Sequence, residues 1–275
     1  MSLQFGRKYK IQVDTIVFDN LDVEFSILKT LKTDPNTLDL TIYNLNEDHR
    51  KQLEKVKNPI VQIEAGYEDN MGVIYLGLLR EVSSVLKQPD WVTTLTSGDG
   101  EKKKRNGRVN KSFAAGTKLK RVLKEVAKTL EIEAGNLDEV IGSGKLIEAT
   151  DEFSHGVVVS GQTSKEMDRL IRSAGLEWSI QDGAFQILEA GKALATEAIL
   201  LTPNTGLIGS PTVSSDGILT FTALLNPEIL PGKQVHVFTD LVSGFFRCEK
   251  IEYTCHSRGN DWYVQGEATR LNVLF

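Results

Sequence analysis

The chain has almost no cysteine. Cys248 and Cys255 are the only two in 275 residues, too few for a disulfide scaffold and suited to a reducing cytoplasm. A single bridge between them is left open. No stretch approaches the ~18 to 20 uncharged apolar residues that a membrane span needs. Residues 1–10 are polar and cationic with no apolar stretch behind them, so the reading expects a soluble chain without a secretion signal. Neither sign of charge dominates: 32 Lys and Arg against 37 Asp and Glu leave a net charge of −5, which argues against a globally basic nucleic-acid binder. A hydrophobic share of 40% excludes disorder. The length implies about two domains at a prior of roughly 150 residues each, with ordinary cores that need neither disulfide nor metal.

Catalytic signatures are missing as well. A phosphate-binding P-loop requires Gly-Lys followed by Ser or Thr, yet Gly144-Lys145, Gly191-Lys192 and Gly232-Lys233 continue with Leu146, Ala193 and Gln234. The dinucleotide fingerprint begins at Gly142-Ser143-Gly144 and fails at Ile147, where its third glycine belongs. There is no His-Glu-x-x-His and no Gly-x-Ser-x-Gly. His49 and His155 are scattered, whereas His236, Cys248, Cys255 and His256 fall in one region. The two cysteines are seven apart, on opposite faces of an uninterrupted strand, unlike the close pairs of structural zinc sites. Carboxylate pairs such as Glu64 with Glu68, or Asp151 with Glu152, carry no specificity for a glycosidase, because any acidic surface offers them. The reading therefore assigns no catalytic residue, no cofactor and no metal.

Strand signals fill both ends of the chain. Apolar and polar residues alternate over 10–17, 23–28, 38–43, 60–65, 73–79 and 91–96, the period of strands with one buried face, and a short helix carrying Leu53 and Val56 fits 46–57. Six Lys or Arg residues between Glu101 and Lys111 mark a boundary, with the run from Lys102 to Lys111, opened by the four consecutive cations Lys102, Lys103, Lys104 and Arg105, expected to be an exposed connection. Beyond it, Leu119, Val122, Leu123, Val126, Ala127 and Leu130 repeat at helical spacing. Thr163 and Glu166 spell a capping box ahead of Met167, Leu170, Ile171 and Ala174, with Gly175 closing that helix. Asp182-Gly183 predicts a tight hairpin. Strand signals return over 218–224, 233–239, 245–253 and 261–269. The chain thus reads as mainly β with an α+β middle: residues 1–100 a small barrel or sandwich, 101–198 the mixed region, 199–275 a second β domain. A faint repeat links the ends, Val61-Gln62-Ile63, Tyr75 and Asp90-Trp91 answering to Val235-His236-Val237, Phe246 and Asp261-Trp262, with sixteen residues from Tyr75 to Trp91 and from Phe246 to Trp262.

The ordered set Leu38-Asp39-Leu40-Thr41-Ile42-Tyr43-Asn44-Leu45, Arg50, Val61-Gln62-Ile63-Glu64-Ala65-Gly66-Tyr67 and Tyr75-Leu76-Gly77 resembles bacteriophage tail baseplate hub proteins. The resemblance continues through Asp90-Trp91, Gly98-Asp99-Gly100, Gly116-Thr117, the segment from Leu201-Thr202-Pro203 to Ser210-Pro211, Leu225-Asn226-Pro227, Pro231-Gly232 and Gly244-Phe245-Phe246-Arg247. It departs at Cys255-His256-Ser257, where the pattern calls for a Gly-Asp turn. On the residues themselves, Asn46 is a helix N-cap, and Gly66 and Gly77 suit a bulge or a close approach of backbone.

The resemblance implies two tail-tube-like antiparallel β-barrel domains separated by a small α+β region. It implies a non-enzymatic homotrimeric ring in the virion tail, made in the host bacterial cytoplasm, that joins the tail tube protein to a central spike protein and contacts the tape-measure protein. DNA would pass through without sequence readout. The alternative from another class is a tail-tip cell-wall hydrolase or carbohydrate-binding module. A third reading, nonspecific nucleic-acid binding through the basic run, lacks interleaved aromatics and conflicts with the acidic balance.

Overall fold

The structure is a computed structural model that describes residues 6–32, 34–100, 105–130, 132–133, 135–136 and 152–271. Contacts divide the chain into two compact units, one of residues 1–31, 35–99 and 193–275 and one of 32–34 and 100–192.

The first unit opens with β1 (Arg7–Val13) and β2 (Ile16–Phe18). The alternation over 10–17 predicts one strand, but the chain reverses at Asp14, whose φ of 55° is a left-handed conformation that Asp tolerates better than most residues. Ile11, Val13, Ile16 and Phe18 are all buried as a result. β3 (Val23–Thr30) and β4 (Thr37–Tyr43) alternate strictly between buried and open positions. The helix Glu47–Lys55 follows, capped by the Asn46 side chain, which accepts from the His49 N–H at 2.7 Å. β5 (Ile60–Tyr67), β6 (Asn70–Lys87) and β7 (Asp90–Gly98) complete this half. β6 runs 18 residues, well past the expected end at Leu79.

The second unit is mixed. β8 (Arg108–Phe113) and β11 (Val157–Gln162) pair antiparallel, as do β9 (Thr117–Lys118) with β10 (Glu152–Phe153) and β12 (Leu176–Gln181) with β13 (Ala184–Glu189). Asp182 and Gly183 take φ of 53° and 80° and close the expected hairpin. Helices Leu119–Ala127 and Thr163–Ser173 bury the apolar positions read from the sequence. The capping box does not form. Thr163 is already the first helical residue, Gln162 precedes it without a side-chain cap, and the Thr163 hydroxyl sits 3.1 Å from that of Thr129.

The first unit resumes with β14 (Ile199–Leu201), β15 (Leu207–Val213), β16 (Ile218–Leu224), β17 (Gln234–Phe238), β18 (Ser243–His256) and β19 (Trp262–Arg270). Its strands form a single 13-stranded sheet in the order β15-β16-β19-β18-β3-β4-β7-β6-β5-β1-β2, with β17 beside β18 and β14 beside β17. Among the described residues no pairing closes this sheet on itself. The fold is thus mainly β with few helices, over one apolar core that spans both ends of the chain.

One strand order occurs twice. β3-β4-β7-β6-β5-β1 corresponds to β15-β16-β19-β18-β17-β14, except that β14 is parallel to β17 while β1 is antiparallel to β5. Both long strands carry a bulge, between Leu79 and Glu81 on β6 and between Cys248 and Lys250 on β18, so Arg80 and Glu249 are equivalent. From those anchors Leu86 opposite Trp91 matches Cys255 opposite Trp262. The two tryptophans therefore occupy one ladder position. Tyr75 and Phe246 do not: Gly77 and Phe246 share the place opposite Val61 and Val235. The turn after β18 is two residues longer than the turn after β6, and this conceals the slip in the sixteen-residue spacing.

Candidate assembly surface

The chemically suggestive residues lie apart from one another. Cys248 and Cys255 are free and buried. The bulge at Glu249 interrupts their strand and turns both toward the core, rather than to opposite faces. Burial pushes the Cys248 thiol up to about 12 and the Cys255 thiol well above its ordinary range. His236 stacks on Phe245 at 4.2 Å, His49 meets the Phe18 ring edge-on at 5.9 Å, His155 is exposed, and His256 Nε2 lies 3.4 Å from Asp22 and 3.6 Å from Glu24. Among the described residues no cluster of three His, Cys, Asp or Glu could hold a metal. Glu64 and Glu68 face different lysines, Lys10 at 4.0 Å and Lys8 at 3.7 Å. Of the basic run, Lys102 to Lys104 lie outside the described residues, as do Asp151 and the sequence Gly142-Ser143-Gly144. Arg105 and Arg108 are exposed, but the expected connection ends before Arg108 rather than at Lys111: Arg108 opens β8, and within that strand Lys111 pairs with Glu125 at 2.8 Å.

The shared motif residues do converge. Asn44, with φ of 54°, donates to Asp90 at 2.8 Å and accepts from the Trp91 N–H at 3.1 Å, while the Arg50 guanidinium lies 4.0 Å from the Trp91 ring centroid. These four residues tie the strand-to-helix corner after β4 to the tip of the β6–β7 hairpin. A second cluster joins the two halves. The Trp262 indole N–H donates to Gly66 O at 3.2 Å, and the ring meets Phe25 edge-on at 6.0 Å. A Cβ on Gly66 would come within 2.0 Å of Asn70 O, and one on Gly72 within 2.9 Å of Pro227, so these glycines permit close approach rather than a turn.

Between the halves runs the ladder of β18 with β3, from Lys250 opposite Thr30 to His256 opposite Glu24. Its end is sealed by Ser257, whose N–H donates to Val23 O and whose hydroxyl accepts from the Val23 N–H, both at 2.9 Å. The open side of this sheet is polar. One row across it reads Ser83, Thr94, Thr41, Glu24, His256; the next reads Glu81, Thr96, Asp39, Ser26, Thr254, Tyr263; a third reads Gly98, Thr37, Leu28, Glu252, Gln265, Thr222. These rows hold four carboxylates and one cation, the Arg80 guanidinium, which covers Gly98 so closely that a Cβ there would come within 2.1 Å of Nη2.

Residues 3–268 match the family described as baseplate hub gp41. The chain belongs to that family. Hub membership makes it a structural protein of the bacteriophage tail baseplate. No curated protein sequence matches it. Its fold is similar to that of a 43 kDa tail protein of prophage MuSo2 from Shewanella oneidensis, at TM-score 0.66 and 11% identity over 96% of this chain and 97% of that one. A tail protein from Neisseria meningitidis MC58 aligns at TM-score 0.65 and 10% identity, over 96% of each chain. The Escherichia coli c3393 protein, described as a type VI secretion component similar to T4 tail proteins gp27 and gp5, aligns at 0.62 and 10% identity over 95% of this chain and 77% of that one.

Within this hub protein, sequence reasoning missed the β18–β3 ladder altogether. The signal that could have exposed it was the departure at Cys255-His256-Ser257: these residues replace a plain turn with contacts to Phe25, Glu24 and Val23.

Proposed function

We propose that this protein is a non-enzymatic hub subunit that assembles as a homotrimeric ring between the tail tube protein and the central spike protein, meets the tape-measure protein, and lets DNA pass. The observation that carries the reading is the doubled strand order in one sheet. Three chains with two equivalent halves present six similar surfaces to a sixfold tube while keeping the threefold symmetry of a spike, and a ring of this kind needs heterologous contacts that close. Each half, residues 1–100 and 199–275, is then one tube-like barrel domain, with 101–198 as the intervening region. The polar face supports the transit role, because phosphates are held by Lys and Arg and across its three central rows four carboxylates outnumber the single guanidinium of Arg80. On this reading the chain is made in the host bacterial cytoplasm and functions in the virion tail.

Native mass measurement of assembled tails tests the proposal. Three copies per tail are expected, and one or two copies would overturn the ring. Turbidity of a peptidoglycan suspension tests the enzymatic alternative: no clearing is expected, and clearing abolished by a single Glu or Asp substitution would overturn the non-enzymatic reading.

A further inference from the structure

We propose that the basic face of the helix Leu119–Ala127 binds the phosphate backbone of duplex DNA without reading its sequence. The proposal deepens the transit reading and rests on it for the source of the duplex.

The net charge of −5 conceals an uneven division. The first unit holds 15 Lys and Arg against 22 Asp and Glu, a net of −7, whereas the second holds 17 against 15, a net of +2. Within the second unit the cations are concentrated further, since residues 105–130 carry eight Lys or Arg and one carboxylate, Glu125. The acidic balance of the whole chain is therefore a property of the other unit. Base stacking needs aromatic side chains, but Lys and Arg alone hold an intact duplex by its phosphates.

The helix turns these cations to one side. Leu119, Val122, Leu123, Val126 and Ala127 are buried. At about 100° per residue, Lys120, Arg121, Lys124 and Lys128 fall within an arc of about 100° that faces away from them. Lys120, Arg121 and Lys128 are exposed and Lys124 is half-buried. Among the described residues neither Lys120 nor Arg121 has an acidic partner. Glu125 flanks the stripe and is shared by Lys111 at 2.8 Å and Lys128 at 3.0 Å, so one carboxylate meets two cations and the surface stays positive.

The start of the helix adds to this potential. Its first turn has no acidic residue, and Lys118 at the cap position makes no side-chain cap. By contrast, the helix Glu47–Lys55 opens with Asn46, Glu47 and Asp48, and the helix Thr163–Ser173 has Glu166 in its first turn. Lys120 and Arg121 thus stand at the positive end of the helix dipole, an unfavourable placement that a bound anion relieves.

This face is poor in what protein interfaces use. Their centres are depleted in Lys and enriched in aromatic residues and Met, whereas the stripe is three lysines and an arginine. Among the described residues the one exposed large apolar side chain of the second unit, Val158, lies on β11. DNA-binding surfaces are more polar and much more positive than protein interfaces. From Lys120 to Lys128 the helix advances about 12 Å, which faces about three to four phosphates of one strand at about 3.4 Å each along the duplex axis. So few contacts give a weak hold that salt releases, as transit requires, and phosphate contacts carry no sequence information.

Fluorescence anisotropy of a labelled duplex of about 20 base pairs, titrated with full-length chain between 50 and 200 mM salt, tests the proposal. The logarithm of the binding constant is expected to fall against the logarithm of salt with a slope between about −2.7 and −3.6, a loss of about 40- to 150-fold over that range. Two duplexes of unrelated sequence should bind alike, and Lys120→Gln should make the slope shallower by about 0.9. Lys120→Glu with Arg121→Glu and Lys124→Glu is expected to abolish binding; it places carboxylates in the first turn, where the dipole favours them, and the all-Gln triple serves if it misfolds by circular dichroism. Lys55→Glu with Lys57→Glu and Lys87→Glu makes the same change of charge on the first unit and should bind as wild type. No binding at 50 mM salt, equal loss in the two charge-reversed triples, or a strong preference between duplexes would overturn the proposal. Poly-L-glutamate that displaces the duplex at equal charge concentration would overturn it in favour of an acidic protein partner. Three copies per tail without duplex binding defeats the phosphate contact alone, whereas one copy per tail with duplex binding defeats the ring alone.

Discussion

Replacing Trp262 and Trp91 separately by Ala, at two positions equivalent by ladder register, isolates what the internal junction is worth. Trp262 is buried, lies edge-on to Phe25 and donates its indole N–H to Gly66 O. Removing a buried Trp side chain costs about 3–5 kcal/mol, and leaving Gly66 O without its donor adds about 1 kcal/mol. The expected loss for Trp262→Ala is therefore about 4–6 kcal/mol, a large share of the stability of a typical domain. Trp91 is partly exposed, and its backbone bonds to Asn44 survive in alanine. Losing the Arg50 contact costs about 0.5–1 kcal/mol. Trp262→Phe keeps the edge contact and loses the donor, an intermediate loss of about 1–2 kcal/mol. Denaturant unfolding of dilute protein followed by circular dichroism measures the three midpoints, and hydrogen exchange over β3, β18 and β19 assigns the loss to the sheet. Equal losses for Trp262→Ala and Trp91→Ala would refute the argument that the junction buries one repeat and leaves its equivalent open.

Both thiols are expected to resist an aromatic disulfide reagent at pH 8 in the folded chain, because burial holds Cys248 at about 12 and Cys255 well above its ordinary range, and to react fully once denatured; labelling of native protein would show that the core opens there. Glu125 is held down to about 2 from 4.5 by hydrogen bonds and charge from Lys111 and Lys128, so its stabilising contribution is complete above pH 4.5 and disappears as pH falls toward 2. The stability difference between wild type and Glu125→Gln should shrink through that window and also in high salt, and a constant difference would remove the ion-pair explanation. Gly66→Ala drives a Cβ to 2.0 Å from Asn70 O, a backbone atom with little room to move, and is expected to cost at least about 2–3 kcal/mol; a neutral result in thermal unfolding would contradict that close approach.

Legibility in the sequence followed how local each signal was. The apolar faces of helices Leu119–Ala127 and Thr163–Ser173, the Asp182-Gly183 turn and the Asn46 cap all depend on neighbours a few residues away, and all were readable. The far half of β6 was not, because residues 81–87 present little of the buried alternation that marks a strand; only the ladder with β7 reveals it. The bulge at Glu249 shifts register by one residue without any sequence signature, which misplaced the facing of the two cysteines, and the longer turn after β18 misplaced the Tyr75 and Phe246 correspondence. The Trp91 and Trp262 match was visible as spacing, but that one is covered and the other open depends on β3, more than two hundred residues away from β18 along the chain.

β18 also sets how this molecule can come apart. It holds β19 along one edge and both β17 and β3 along the other, so the two ends of the polypeptide share a strand's worth of hydrogen bonds instead of a tether. No hinge separates them, and the first unit should unfold as one cooperative block. A polypeptide cut back to residues 193–275 would bare the edge that β3 covers and the face of Trp262 that meets Phe25 and Gly66, the makings of a self-associating fibre seed rather than a soluble half-protein.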